Sequence, residues 1–412
     1  MNRRYFLSAL AASATAPRAR SAAARIVRIT LAGTEGRFHK FVAMNSYDKA
    51  PKGHTYPNTV VRIQTDQGVE GVGVMGYPAP DADFLAALKT LLSADPLELY
   101  RMDAGRITGR DPRYAAVLAR YRHLDGPLFD LAGKLAGKPA WRLIGDAARD
   151  RVEGYDSTIY FSDIWFHDRG VRAVVEEAEE ARRAGYRGIK LKLGRGSKWM
   201  EKAAGLKRDI EVVLAVRSAV GPDMRTMCDP NNGYRGDREG AWSLLSETAS
   251  ANLYWMEEIF PETVSDYNWL KDRPEKAGLK TRIADGESVD QPAEFAPYLK
   301  PRRLMDVLQS DIRRFGFLDS LAVARLAEPA GAVLIPHNWG AQTGTLMALH
   351  LAKAVKSVPF VEDDRSTVDV FAAEGYEFRD GMYTLPDKPG LSLRVDEAAY
   401  RLKCKASEVV VA

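Results

Sequence analysis

The sequence predicts an α/β fold in which a barrel of eight strand-and-helix units follows a smaller α+β domain. A chain of 412 residues with 46% hydrophobic residues is long enough for one large and one small core. From about residue 150 onward, a short apolar strand, a polar tip and an amphipathic helix recur roughly every 25 to 35 residues, which is typical of a parallel sheet. Before that point the repeat is absent, and strands are followed by helices.

The N-terminal stretch, residues 1–24, has the pattern of an export signal. Arg3 and Arg4 precede Phe6 and Leu7, an Ala- and Ser-rich stretch follows, and residues 22–24 are alanines suited to cleavage. The arginine pair resembles a twin-arginine signal, so we expect residues 1–24 to be a signal peptide and the protein to be exported, most simply to the periplasm. The alternative is an N-terminal tail that contains two arginines.

The charge distribution argues for a small-molecule partner. The net charge is +4, but Arg3, Arg4, Arg18 and Arg20 all lie in the predicted signal, which contains no acid, so the remaining chain has no net charge. A neutral body without a basic stripe is unlike a nucleic-acid-binding surface. After the signal no apolar run approaches the roughly 20 residues that a membrane helix needs, so we expect no membrane insertion.

The two cysteines do not predict a disulfide framework. Cys228 directly precedes a candidate catalytic carboxylate, where a small buried residue is the simplest interpretation, and Cys404 lies near the C-terminus. One bridge would be possible in an oxidising compartment, but a single pair is not a framework. We expect free thiols.

Residues 25–150 are predicted to form an α+β capping domain. The segments 25–31 and 59–65 alternate apolar and polar residues and indicate two strands. Residues 33–57 show no clean period and are predicted to be a long loop of the kind that often carries specificity. Apolar residues from Asp83 to Leu143 recur at helical spacing.

Residues 151–365 are predicted to form the barrel, and residues 366–412 a segment that returns to the cap. Eight strand-like runs separated by helical patterns fit a barrel of eight α/β units with one unit possibly altered. The predicted strands are Val152–Tyr155, Gly188–Leu193, Met224–Asp229, Tyr254–Glu257, Thr281–Ala284, Val307–Gln309, Val333–Pro336 and Pro359–Glu362.

Polar and charged residues stand at the end of nearly every predicted barrel strand. Barrel active sites lie at the carboxyl ends of the strands, so these side chains are expected to converge. The residues are Lys190, Lys192, Asp229, Asn231, Glu257, Glu287, Asp311, His337 and Glu362.

The alternation Lys190-Leu191-Lys192 points both ammonium groups to one face of a strand. Two inward lysines need anions around them, and their mutual repulsion is expected to lower the pKa of at least one, which would make it a plausible base. The alternative is a solvated strand whose outer face is rich in lysine.

Three carboxylates, Asp229, Glu257 and Glu287, follow successive predicted strands, each one barrel unit after the last. Converging carboxylates require a cation, and an oxygen-only set favours Mg²⁺ or a similar hard ion. Any one of these acids alone would more simply be a helix cap or a surface residue.

Asp311 and His337 follow the next two predicted strands, again one barrel unit apart. A carboxylate beside an imidazole fixes its tautomer and raises its basicity. His337 is the only one of the six histidines at a predicted strand end.

Several motifs together resemble those of a known family. The relevant stretches are Gly126–Lys134, Lys190–Lys192, Asp229–Asn231, Trp255–Glu258, Asp285–Glu287, Gln309–Asp311, Pro336–Trp339 and Leu385–Leu391. They are similar to motifs of the enolase superfamily, specifically its mandelate racemase-like subgroup, and cover nearly the whole chain after the signal. The resemblance implies a modified TIM barrel of the (β/α)7β type, with an α+β N-terminal capping domain that the C-terminal segment completes.

The resemblance also implies roles for individual residues. Lys192 would be one acid/base, Lys190 would bind the substrate carboxylate, and the Asp311–His337 dyad would serve the opposite face. One Mg²⁺ would be held by Asp229, Glu257 and Glu287, although Glu258 and Asp285 are adjacent carboxylates. Asn231, Glu362 and Trp339 are expected to contact substrate, and we expect a homo-oligomer.

The predicted function is Mg²⁺-dependent abstraction of the proton α to a carboxylate, with stabilisation of the enediolate that forms. Dehydration of an acid sugar to a 2-keto-3-deoxy acid is the preferred reaction by analogy with the family. Racemisation or epimerisation of a 2-hydroxy acid is the first alternative, and a non-catalytic exported binding protein for sugar acids is the second.

Overall fold

A computed structural model of the chain describes residues 23–75 and 80–412. The signal-peptide prediction falls almost entirely on residues 1–22, outside the described residues. Within the described ranges, no helix is long and apolar enough to cross a membrane.

The cap contains a twisted antiparallel sheet and three short helices. Its elements in chain order are β1 (Ile26–Val42), β2 (Gly53–Thr65), β3 (Glu70–Met75), α1 (Ala82–Lys89), β4 (Tyr100–Asp103), β5 (Arg106–Arg110), α2 (Ala115–Arg120) and α3 (Asp125–Ala136), with 3₁₀ turns at Pro96–Leu99, Arg122–Leu124 and Ala140–Leu143. Helix α3 ends at Gly137, whose φ of +64° provides the left-handed cap that favours glycine.

The prediction of a loop over residues 33–57 is largely wrong. Strands β1 and β2 form one long hairpin, paired from Ile26 opposite Thr65 to Val42 opposite Gly53, with register shifts after Ile26 and after Arg37. Polar residues and glycines occur on both faces of the extended arms, so the apolar alternation that marks a strand is irregular there. The true loop is residues 43–52, called the cap loop below.

Eight parallel strands follow the cap, and they confirm the predicted α/β fold. They are β6 (Val152–Ile159), β7 (Gly188–Lys192), β8 (Arg225–Asp229), β9 (Trp255–Glu257), β10 (Arg282–Asp285), β11 (Val307–Leu308), β12 (Val333–Leu334) and β13 (Phe360–Asp363). Neighbours in sequence pair with each other from β6 to β12, and β13 pairs with β6. Strands β12 and β13 stand at the two ends of this order. The amide of Leu334, in β12, donates to the carbonyl of Ser357, which lies shortly before β13, over 3.0 Å.

Seven connections link the eight strands, as in the predicted (β/α)7β arrangement. The helices are α4 (Ser162–Trp165), α5 (Val171–Arg183), α6 (Lys202–Val220), α7 (Arg238–Glu247), α8 (Val264–Lys276), α9 (Ile312–Ala327) and α10 (Gln342–Ala354), with 3₁₀ turns at Arg195–Ser197, Ala249–Ala251, Pro292–Tyr298 and Glu328–Ala330. The fifth connection has only the 3₁₀ turn at Pro292–Tyr298, and its two prolines limit regular helix there.

The C-terminal segment contributes strands to both parts of the molecule. Its elements are β14 (Ser366–Val368), β15 (Phe371–Ala373), β16 (Glu377–Arg379), β17 (Met382–Thr384), β18 (Leu393–Val395), α11 (Glu397–Lys403), a 3₁₀ turn at Lys405–Ser407 and β19 (Val409–Val411). Strands β14 and β19 both pair with β1, which agrees with the expected return to the cap. Strand β17 pairs instead with β6 at the other end of the barrel strands.

Candidate active site

The two lysines of β7 point inward and are buried. Lys190 is fully buried and Lys192 is 5% exposed. Lys190 Nζ lies 2.8 Å from Glu257 Oε1 and 2.9 Å from Glu362 Oε1, while Lys192 Nζ contacts Asp229 Oδ2 directly. The solvated-strand alternative is therefore excluded.

The electrostatics of the lysines differ from the expectation. Burial lowers the pKa of each lysine, but carboxylate charge prevails and raises it, from Glu257 and Glu362 at Lys190 and chiefly from Asp229 at Lys192. The charge of Lys190 does lower the pKa of Lys192, as expected, but the carboxylates around the pair outweigh this repulsion.

The three predicted carboxylates of the metal set lie together. One oxygen from each of Asp229, Glu257 and Glu287 lies within 4.8 Å of the others. Asp229 and Glu257 are buried and the Glu287 side chain is 18% exposed, so the group opens toward the surface on the Glu287 side. Burial raises the pKa of Glu257 to about 7 despite the lowering effect of Lys190.

A hard divalent cation fits this group on the chemistry of its donors. All three donors are carboxylates, which supply the oxygen ligands that Mg²⁺ prefers. Burying carboxylates this close together costs free energy unless cations meet them, and the two lysines occupy only the Asp229 and Glu257 side.

The predicted dyad also forms. Asp311 Oδ2 lies 3.0 Å from His337 Nδ1, and the backbones of the two residues form a parallel bridge. The other ring nitrogen, Nε2, lies 3.1 Å from Glu287 Oε2. Burial lowers the pKa of His337, but the carboxylates of Glu287, Glu362 and Asp311 prevail and raise it to about 9.

The carboxylate group therefore lies between two acid/base candidates. Lys192 contacts its Asp229 end and His337 its Glu287 end. An arrangement of this kind can remove a proton on one side of a bound ligand and donate one on the other.

Glu258 and Asp285, the adjacent carboxylates, have other surroundings. Glu258 Oε2 accepts from Asn231 Nδ2 over 2.8 Å, and Oε1 accepts from the Tyr47 hydroxyl over 2.9 Å. Asp285 Oδ2 is buried and accepts no hydrogen bond from the described residues. Neither belongs to the three-carboxylate group, and burial raises the pKa of both well above its usual range.

Asn231 and Glu362, two of the predicted substrate contacts, have hydrogen-bond partners within the site. The Asn231 amide is buried and already bonded, because it accepts from Asn45 Nδ2 and donates to Glu258 and Asp229. Glu362 is also buried, with Oε1 on Lys190 and Oε2 accepting the Asn338 amide over 3.0 Å. Both residues therefore order the floor of the site.

Trp339 belongs to an aromatic wall formed by Phe38, Tyr160 and Trp339. The Trp339 ring stacks on Phe38 and packs beside Tyr160, with ring centroids 5.0 Å apart in each case. Lys192 Nζ lies 5.5 Å from the centre of the Tyr160 ring, so the wall borders the catalytic candidates. Phe38 comes from the cap.

The cap loop is tied to the barrel beside this wall. Ser46 Oγ donates to the Leu193 carbonyl, Lys198 Nζ donates to the carbonyls of Tyr47 and Asp48, and Trp199 Nε1 donates to the Asn45 carbonyl. The connection after β7 therefore covers the cap loop. Its base is a buried ion cluster in which Arg195 bonds to Asp163 and Asp209.

Several neighbours of the site were missed at the sequence level. Tyr160 directly follows β6. The last three residues of that strand are Ser, Thr and Ile, so no charged side chain marks its end as part of an active site. Arg313 lies beside the dyad, but nothing in the sequence distinguishes it from any other residue of a helix. Gln309, which donates to Glu257 Oε2 over 3.0 Å, follows β11 directly and could have been found at that strand end.

A second group of possible metal ligands, His39, Asp156 and Glu180, lies near the cap. Arg365 already donates to both of its carboxylates, at 3.0 Å to Asp156 and 2.7 Å to Glu180. We interpret it as an ion-pair network. The two cysteines are free, as predicted, and both are buried.

Comparison with known proteins gives a consistent result. Residues 173–399 match the family described as enolase C-terminal domain-like. Arabinonate dehydratase of Saccharolobus solfataricus is 27% identical over 365 residues, covering 86% of this chain and 92% of the relative. D-galactarolactone cycloisomerase of Agrobacterium fabrum is 29% identical over 359 residues, covering 83% and 90%.

Solved structures resemble nearly the whole chain. A galacturonate dehydratase of Geobacillus sp., complexed with D-galacturonate and 5-keto-4-deoxy-D-galacturonate, has a TM-score of 0.81 at 26% identity, covering 95% of this chain and 100% of that one. A mandelate racemase/muconate lactonizing protein of Geobacillus sp., complexed with magnesium and tartrate, has a TM-score of 0.79 at 27% identity, covering 93% and 96%.

Proposed function

Since this chain belongs to the enolase C-terminal domain-like family, we propose that it dehydrates an acid sugar to a 2-keto-3-deoxy acid. The observation that carries the proposal is the three-carboxylate group lying between Lys192 and His337. Dehydratases of arabinonate and galacturonate among the similar proteins support acid sugars as the substrate class.

Asp229, Glu257 and Glu287 would hold one Mg²⁺, an ion also present in a structure of a similar protein. A bound divalent ion supplies Lewis-acid stabilisation of the negative charge that develops on a substrate carboxylate. With such an ion bound, the carboxylates would raise the pKa of Lys192 less, and its amine would be available as a base.

Two residues of the chain then carry out the two proton transfers of the reaction. Lys192 takes the α-proton, and the electrons of the broken C–H bond form the enediolate. His337, held by Asp311, gives a proton to the β-hydroxyl, the C–O bond breaks and water leaves. The resulting enol tautomerises to the 2-keto-3-deoxy acid. Lys190 supplies a fixed positive charge beside the carboxylate that becomes more negative.

The test is incubation with Mg²⁺ and a panel of acid sugars in D₂O. Keto acid and α-deuterium in the remaining substrate are measured together. A dehydratase gives keto acid, and Lys192→Ala should lose turnover. If no acid yields keto acid or exchanges its α-proton and no metal binds, the proposal fails.

Epimerisation of a 2-hydroxy acid is the second candidate, favoured by the presence of acid/base groups at both ends of the carboxylate group. It predicts α-deuteration without keto acid. A non-catalytic binding protein would instead keep its affinity for a sugar acid when Lys192 is replaced by Ala, with no turnover in either form.

We also propose export through the twin-arginine signal of residues 1–24 and assembly into a homo-oligomer. The paired Arg3 and Arg4 support the first of these.

A further inference from the structure

Arg313 has a special position relative to the dyad. It lies in the first turn of α9, two residues after Asp311, which is the N-cap of that helix. Its Nε donates to Asp311 Oδ1 over 3.0 Å, and its backbone amide donates to the same oxygen over 2.8 Å. Its Nη2 contacts Asp311 Oδ2, the oxygen that also faces His337 Nδ1.

The remaining guanidinium nitrogen reaches the next barrel connection. Arg313 Nη1 donates to the backbone carbonyl of Trp339, two residues after His337. The backbones are joined nearby as well, because the Ile312 amide donates to the His337 carbonyl over 3.0 Å. One planar guanidinium therefore holds the carboxylate of the dyad and the segment that carries its imidazole.

Trp339 extends this connection to the cap. Its indole packs between Phe38 of β1 and Tyr160, which directly follows β6. The Trp339 carbonyl accepts from Arg313, so one residue contacts both the aromatic wall and the side chain that holds Asp311. The dyad is thus linked through one side chain to the wall that borders Lys192.

We propose that Arg313 is a positioning residue that couples the aromatic wall to the orientation of His337. The inference rests on the proposed function for its kinetic consequence. Lysine cannot replace arginine here, because a single ammonium group lacks the planar fork that donates to a carboxylate and a separate carbonyl at once. The side chain is 24% exposed, so its removal does not open a fully buried site.

The kinetic test is a double-mutant cycle of Arg313→Met and His337→Gln, read with an acid sugar on which His337→Gln retains α-proton exchange. Arg313→Met should lower kcat about 10- to 100-fold, because a misplacement near 1 Å can cost that much, with KM changed by less than about 3-fold. In the His337→Gln background it should change the exchange rate by less than about 2-fold. Equal losses in both backgrounds would mean that Arg313 does not act through His337.

Two further variants separate positioning from general stability. Arg313→Lys should restore only part of kcat, since one of the two contacts is lost. Arg325→Met, an exposed arginine on the same helix, should leave kcat and KM unchanged. Full activity in Arg313→Met would overturn the proposal.

A spectroscopic test is independent of turnover. In protein labelled with 5-fluorotryptophan, the ¹⁹F resonance of Trp339, assigned with Trp339→Phe, should shift or broaden in Arg313→Met and stay unchanged in Arg325→Met. An unchanged Trp339 signal in Arg313→Met overturns the coupling even if no acid is turned over. If wild-type protein lacks turnover but the signal shifts, the proposed function fails while the coupling stands.

Discussion

The hydroxyl of Tyr47 donates to Glu258 Oε1 over 2.9 Å, which joins the cap loop to the residue directly after Glu257. Glu258 is buried, and its other oxygen is bonded to Asn231. This pair is one of the direct side-chain contacts between the cap and the strand ends that bear the carboxylates.

Tyr47→Phe should therefore weaken both stability and substrate affinity. Glu258 loses a partner inside the protein, which costs about 1–2 kcal/mol of unfolding free energy. The cap loop loses one tie, so KM for the acid sugar should rise roughly 3- to 10-fold. Urea denaturation and steady-state kinetics measure the two effects. The cap-domain control Tyr121→Phe should change neither the unfolding free energy nor KM. If both variants had the same unfolding free energy and KM, the contact between Tyr47 and Glu258 would have no role in stability or substrate affinity.

Glu287→Gln should remove most of the affinity for a divalent cation while preserving the fold. A neutral amide is a poorer ligand than a carboxylate, and Glu287 is the most exposed member of the group. Titration with Mn²⁺, followed by electron paramagnetic resonance, should show at least about 10-fold weaker binding. The surface variant Glu239→Gln should bind like the wild type. Unchanged Mn²⁺ affinity in Glu287→Gln would mean that Glu287 does not bind the cation.

Arg195→Met should destabilise the protein by about 3–5 kcal/mol, because Asp163 and Asp209 would lose their buried partner. Arg195 is fully buried, so water cannot replace it. Denaturant unfolding or the yield of folded protein measures the loss. The exposed Arg183→Met should stay within about 0.5 kcal/mol of the wild type. A small effect at Arg195 would show that this cluster is not structural.

His350 should make stability fall in acid. Burial lowers its pKa to about 3, and its Nδ1 accepts the Trp141 amide over 3.1 Å, so the folded state keeps the ring neutral. An unfolded chain binds the proton near the ordinary pKa of 6.5, which stabilises the unfolded state as pH falls below that value. At pH 5 this costs about 2 kcal/mol.

The measurement compares unfolding free energies at pH 7 and pH 5 for wild type and His350→Gln. The wild type should lose about 2 kcal/mol more than the variant between the two pH values. Identical pH dependence would mean that His350 has the same pKa in the folded and the unfolded protein.

The export proposal predicts that replacing Arg3 and Arg4 by lysine leaves the protein in the cytoplasm. Twin-arginine signals depend on the guanidinium pair, whereas general secretory signals accept any positive charge. Cell fractionation with an antibody to the mature chain measures the distribution. Normal export of the double-lysine variant would exclude this route.

The sequence was most informative where an apolar run ends in a charged residue. Strands β7 to β9 were predicted to within one residue, because Lys192, Asp229 and Glu257 mark their ends. The long arms of β1 and β2 were missed, since their alternation is irregular on a partly covered face. The raised pKa of Lys190 was not predicted, because its closest partners, Glu257 and Glu362, come from β9 and β13, which are distant from β7 in the chain.

Arg313 could not have been recognised from the sequence. Its spacing from Asp311 is that of any arginine in a first helical turn, and its second partner is a backbone carbonyl, which carries no sequence signal. A contact with the carbonyl of a residue 26 positions away depends on tertiary geometry.

The pairing of β19 with β1 sets an order of assembly. Ile29 lies opposite Val411, so this ladder closes a loop that contains the entire barrel. Contacts between residues so distant in sequence form late, because the entropy of closing the loop is recovered only after the intervening strands are packed. The cap edge formed by β1 and β19 should therefore become protected from amide hydrogen exchange only after the barrel strands do during refolding.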